Sequence, residues 1–160
     1  MKPATLAEIK KELQQRSPEE ISQLCLRLAR FKKENKELLT YLLQESEDEA
    51  SYVEGIKTEV EGMFDQINVK SYHYIKKSVR KILGTLKKYI RYSGNKETEV
   101  ELLLHFCQQL RAFRPSIRGH STLVNLYQRQ LVHIEKQIGS LHEDLQYDYG
   151  QLLGELRTGS

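Results

Sequence analysis

Apolar residues recur every three or four positions along almost the whole chain, and no stretch alternates apolar and polar long enough to make a strand. Thr5 and Glu8 have capping-box spacing, and Leu6, Ile9 and Leu13 follow at helical period. This predicts a short first helix ending near Gln15. Ser17-Pro18-Glu19-Glu20 is the strongest start signal: serine caps, proline takes the first helical position, and Glu20 completes the box. The second helix carries Ile21, Leu24, Cys25, Leu28 and Phe31 on one face. Asn35 marks a break or a cap before a third helix with Leu38, Leu39, Leu42 and Leu43.

Past the polar stretch Glu45–Glu49, the spacing of Tyr52, Val53, Ile56, Val60, Met63, Phe64 and Ile67 predicts a fourth helix. A turn at 68–71 precedes a long fifth helix, roughly Val69 to Tyr92, with Ile75, Val79, Ile82, Leu83, Leu86 and Ile90 in its stripe. Gly94 stands where a left-handed cap belongs, and Asn95 can start a sixth helix with Val100, Leu103, Leu104, Phe106, Cys107 and Leu110. Pro115, Ser116, Gly119 and His120 make 113–121 the longest loop. From Thr122 to Leu156 the pattern fits one long helix or two, with Gly139 as a bend and Ser140 and Glu143 as a second capping box.

The expected fold is therefore all-α: six to eight antiparallel helices in a twisted bundle or a short stack of helical hairpins. One domain is expected over 1–157, with 158–160 as a disordered tail whose Gly-Ser resembles an expression remnant. An internal echo accompanies this pattern. Aligning Cys25 with Cys107 sets Ile21, Leu24, Leu28 and Phe31 on Leu103, Phe106, Leu110 and Phe113, and three of the five pairs are identical. A duplicated hairpin would leave such a trace, and so would any two amphipathic helices.

Composition narrows the function classes. At 160 residues the chain is long enough for a core without staples, and 3 Pro, 9 Gly and no Trp exclude collagen-like and low-complexity chains. A net charge of +3 demands neither a nucleic acid nor a membrane partner. Two cysteines without CxxC spacing fit buried, reduced thiols. The N-terminus lacks a secretory apolar core, and the longest apolar run is three residues, Leu102–Leu104. A cytoplasmic location follows as an expectation.

The chemistry-bearing motifs are few. None of the five histidines has a glutamate three residues before it, His142-Glu143 lacks the second histidine of a zinc-protease signature, and no phosphate loop or nucleophile elbow occurs. His105 and Cys107 are two apart on a helix and face different ways. No metal, cofactor or catalytic residue is assigned, and the expectation leans away from an enzyme.

The most unusual stretch is Lys70–Arg91, with eight Lys/Arg, one His and no acid, interleaved with tyrosines. Lys77, Arg80, Lys81, Lys87, Lys88 and Arg91 form a face that can follow a phosphate backbone. The competing expectation is internal: 44–65 holds eight acids and one Lys, so Glu54, Glu59, Glu61 and Asp65 in an antiparallel hairpin would neutralise that face. A second basic group, Arg111, Arg114, Arg118 and His120, surrounds the long loop and suits an anion or a partner's acidic segment.

The stretches RLARFKKENKELLTYLLQESEDEASY, KKYIRYSGNKETEVELLLHF and LHEDLQYDY resemble a family of small uncharacterised all-helical bacterial proteins of about this length. The resemblance spans nearly the whole chain and implies an intracellular single-domain bacterial protein. It transfers no ligand and no catalytic residue. The sequence thus favours a non-enzymatic protein-interaction module, with an unidentified protein partner or self-association and no membrane. A nucleic-acid-associated protein using 70–91 is the alternative.

Overall fold

Local sequence sets most helix starts. In the computed structural model, which describes residues 1–158, Thr5 and Ser17 each accept from the backbone N–H three residues on, while Glu8 and Glu20 reach back to the cap. These two capping boxes open α1 (Leu6–Leu13) and α2 (Pro18–Phe31). Lys32 turns extended (φ −140°, ψ 144°) and breaks the helix before α3 (Lys33–Thr40), which passes into a π turn at Tyr41–Glu45. Asn35 lies inside α3, not at its start, and its Nδ2 donates to Leu28 O at 2.8 Å, satisfying a carbonyl that the end of α2 leaves orphaned.

Asp48 caps α4 (Glu49–Asp65), Ser71 caps α5 (Tyr72–Ser93), and Asn95 caps α6 (Lys96–Ala112). Gly94 closes α5 at φ 66°, the left-handed conformation in which a Cβ would clash with the backbone. A 3₁₀ turn at Ile117–Gly119 follows, then α7 (Ser121–Ile138) and α8 (Glu143–Thr158). The C-terminal region is thus two helices. Ser140 does not box α8: its Oγ donates back to Gln137 O at 2.7 Å, at the end of α7. Thr158 belongs to α8, so the expected tail reduces to residues 159 and 160, which lie outside the described residues.

All eight α-helices among the described residues confirm the all-α class. The chain packs as two compact units, 1–44 and 45 onward, a division that the sequence pattern does not mark. In the first unit α2 packs on α3. Its apolar stripes are largely in solvent: Leu28 is 60% and Phe31 77% exposed, and Cys25 is only half-buried, contrary to the expected core.

The second unit is a bundle with α6 at its centre, packed against α4, α5, α7 and α8. That position explains why Val100, Leu102, Leu103, Leu104, Phe106, Cys107 and Leu110 are all buried, covering more than one face of the helix. Tyr52 near the start of α4 donates to Tyr89 O near the end of α5 at 2.8 Å, so these two helices run antiparallel.

A polar seam joins α4 to α6. Lys57 Nζ lies 2.6 Å from Glu101 and 3.1 Å from Glu54. Burial works to lower its pKa, but the hydrogen bonds to Glu101 and Glu54 outweigh that and raise it. His105 Nε2 sits 3.3 Å from Glu61 Oε1, an ion-pair distance without hydrogen-bond alignment, which leaves the ring nitrogen unsatisfied. Burial is the main influence on His105 and lowers its pKa below 6.5; the Lys57 charge adds to this, and Glu61, a hydrogen bond with the Lys57 backbone and Glu54 oppose it. The unfolded chain therefore binds a proton that the folded one refuses. Stability from this group is full above pH 6.5 and is lost as pH falls through the lower folded value. A His105→Gln variant should lose less stability than the parent between neutral pH and about pH 5, a window set by the histidine reference value. Urea midpoints at the two pH values check this, and an unchanged difference between the proteins refutes it.

Candidate functional site

The sequence offered α5 as either a free basic face or a neutralised one, and side-chain geometry decides between them. Glu54 pairs with Lys57, Glu61 faces His105, and Glu59 accepts from the Tyr89 hydroxyl at 3.0 Å. None of the described carboxylates, Asp65 included, forms an ion pair with Lys77, Arg80, Lys81, Lys87 or Arg91, and all five side chains are exposed. Lys88 is half-buried, with Nζ 5.2 Å from the centre of the Tyr89 ring. For these five residues no ion pair with α4 is among those described: Glu54 turns to Lys57 of its own helix, Glu61 to His105 of α6 and Glu59 to the Tyr89 hydroxyl.

The six residues do not form a single face. Arg80, Lys87 and Arg91 share one helical stripe, spaced seven and four apart, and line a groove of about 1140 Å³. Lys77, Lys81 and Lys88 lie outside its lining. The groove exists because α5 and α7 both pack on α6 and leave a gap between them. Leu83 and Ile90 of α5, Leu103 of α6 and Leu126 of α7 make an apolar floor. Gly84 leaves the α5 wall bare between Arg80 and Lys87: a Cβ there would meet nothing within 4 Å.

The far wall belongs to α7, where Arg129, Gln130 and His133 reach the groove. Sequence reasoning misses all three. Arg129 and His133 are four apart and so share a face, but nothing in the sequence ties that face to α5. His133 Nε2 is 2.6 Å from Glu99 Oε1, which engages the sole carboxylate among the described residues of the lining. Arg129 carries no ion pair among the described residues and is exposed. Gln130 is 93% buried by its 7% exposure, and its Oε1 has no hydrogen-bond partner. An acceptor buried in that way costs about 1–3 kcal/mol. Four cations without a described ion pair on two walls make the groove electropositive, and the unsatisfied Gln130 acceptor in its lining calls for a hydrogen-bond donor.

The loop group is organised differently. Arg111, Arg114 and Arg118 share a cleft of about 840 Å³, and His120 is not part of its lining. Arg111 Nη1 donates to Glu155 O at 2.6 Å, and Arg114 Nη1 to Phe113 O at 3.1 Å. Both guanidinium groups thus satisfy carbonyls at helix or loop ends. The His120 ring stacks on Tyr72 with centres 5.0 Å apart, while the Tyr72 hydroxyl donates to Ser116 O at 2.8 Å. These contacts anchor the loop to the first turn of α5.

Cys107 is buried in α6, and burial pushes its thiol up to about 12, so it stays protonated and unreactive near neutral pH. No described helix is long and apolar enough to cross a membrane. The chain matches no known family, no curated protein and no solved structure.

Proposed function

We propose that this is a non-enzymatic binding protein that associates with nucleic acid through the Arg80, Lys87 and Arg91 stripe of α5. The observation that carries the reading is that five of the six candidate cations on that helix are exposed and unpaired by any described carboxylate. Holding such charges together costs self-repulsion, which a phosphate backbone relieves while releasing its counterions. Both cysteines are free, which supports a reducing, cytoplasmic setting.

The test is fluorescence anisotropy of short labelled single- and double-stranded DNA and RNA in a salt series. Binding at low salt is expected, weakening linearly on logarithmic axes with a slope of about −3 if four phosphates of a single strand are contacted. Combined Arg80→Glu, Lys87→Glu and Arg91→Glu substitution should abolish it. No binding even at low ionic strength overturns the reading.

A second reading, a protein-interaction module acting on a partner or on a second copy, rests on a separate observation. Residues 1–44 leave Leu24, Leu28, Phe31, Leu42 and Leu43 exposed, and a cluster of exposed large apolar side chains suits a partner's apolar face.

A further inference from the structure

We infer that the groove between α5 and α7 is a nucleotide site, holding phosphate on Arg80, Lys87, Arg91 and Arg129 and a donor group of the base or sugar beside Gln130. The inference rests on the nucleic-acid reading above and adds to it a place, a partner wall and a ligand chemistry.

Three observations lead there. The first is shape. Two helices flanking a third have axes at most two packing distances apart, about 16–20 Å. Subtracting one helix diameter of about 10–12 Å leaves an opening of at most about 10 Å. A single strand or a lone nucleotide enters such a gap. A duplex, whose major groove alone is about 12 Å wide, does not, and neither does a partner helix.

The second is charge on both walls. Arg80 and Arg91 bracket about 17 Å of the α5 wall at the helical rise, and Arg129 faces them from α7. The lining carboxylate, Glu99, is already engaged by His133 at 2.6 Å. Guanidinium groups suit phosphate because their forked donors match its oxygens.

The third is the floor. Leu83, Leu103 and Leu126 close the base of the groove, and at 7%, 1% and 5% exposure they keep water from it rather than present a face of their own. Gln130 lies beside them with an acceptor that lacks a donor. Base amino groups and sugar hydroxyls are donors of that kind, and an acidic peptide side chain is not.

The experiment follows a labelled single strand at low salt, with the full chain and variants whose thermal melts match the parent. Arg129→Gln should weaken binding about tenfold and reduce the salt slope by about one. Lys136→Gln, exposed on α7 but outside the groove, should change neither. Lys81→Gln should cost less than Arg129→Gln. Gln130→Leu should weaken a base-bearing strand more than an abasic one. Competition with mononucleotides separates two sources: displacement by them marks a free-nucleotide site, and displacement by strands alone marks a strand site.

Several results overturn the inference. If Lys81→Gln costs as much as Arg129→Gln, or an abasic strand competes as well as a base-bearing one, the groove is not the site, although the nucleic-acid reading survives. If polyglutamate competes as well as the strand, the ligand is an acidic peptide. If no strand binds, both readings fall together.

Discussion

Phe106→Ala is expected to lower the unfolding free energy by about 3–5 kcal/mol, the range for truncating a buried aromatic residue. Phe106 has no exposure, and its ring lies 5.8 Å from that of Phe64, which in turn lies 6.0 Å from Phe113. The loss has two parts: transfer of the ring's apolar area, and the cavity left where α6 meets its neighbours. Little collapse is possible, because α6 is packed on by four helices and cannot move toward one without leaving another. Against a total stability of about 5–15 kcal/mol, the loss is a large share. A urea titration should show a lower midpoint at unchanged slope. A loss under about 1 kcal/mol, the size expected of a conservative core swap, would mean that α6 is not the centre of the core.

Glu49→Ala should be the most damaging change to a polar residue, at about 3 kcal/mol for two hydrogen bonds to a charged acceptor. Its carboxylate accepts from the Ser93 hydroxyl at the end of α5 and from Thr98 Oγ1 at 2.6 Å in the first turn of α6. Three helices thus meet on one side chain. Thr98 is buried at 3% exposure, so removing the carboxylate strands its hydroxyl away from water. The double variant Glu49→Ala with Thr98→Val should recover part of the loss, because it removes both partners. A double variant as unstable as the sum of the two singles would refute the account.

Neither residue stands out in the sequence. Phe106 belongs to a stripe that the period of the pattern reveals, but Leu24 holds the matching place in α2 and is 44% exposed. Three of five aligned identities did not produce the same environment. An amphipathic stripe states only that a face is suited to burial; what covers it depends on elements elsewhere in the chain. Glu49 reads as an ordinary first-turn acid, complementary to the helix dipole. Its distant partners Ser93 and Thr98 follow from how α4, α5 and α6 are placed. The candidate site was half legible for the same reason. Arg80, Lys87 and Arg91 could be picked out because they are close in sequence, whereas Arg129 and Gln130 stand almost forty residues further on, in another helix.

The sequence by itself determined the all-α class, the capping boxes at Thr5 and Ser17, the left-handed turn at Gly94 and the cap at Asn95. These depend on hydrogen bonds and steric limits spanning four residues or fewer, which any copy of the local sequence reproduces. The tertiary structure alone decided that α4 spends its carboxylates on α6 and on tyrosine, that α2 keeps its stripe in solvent, and that α5 and α7 leave a groove above α6. A charge or an apolar face has many partners of equal chemistry along the chain. Only packing, which sets the distances between helices, selects among them.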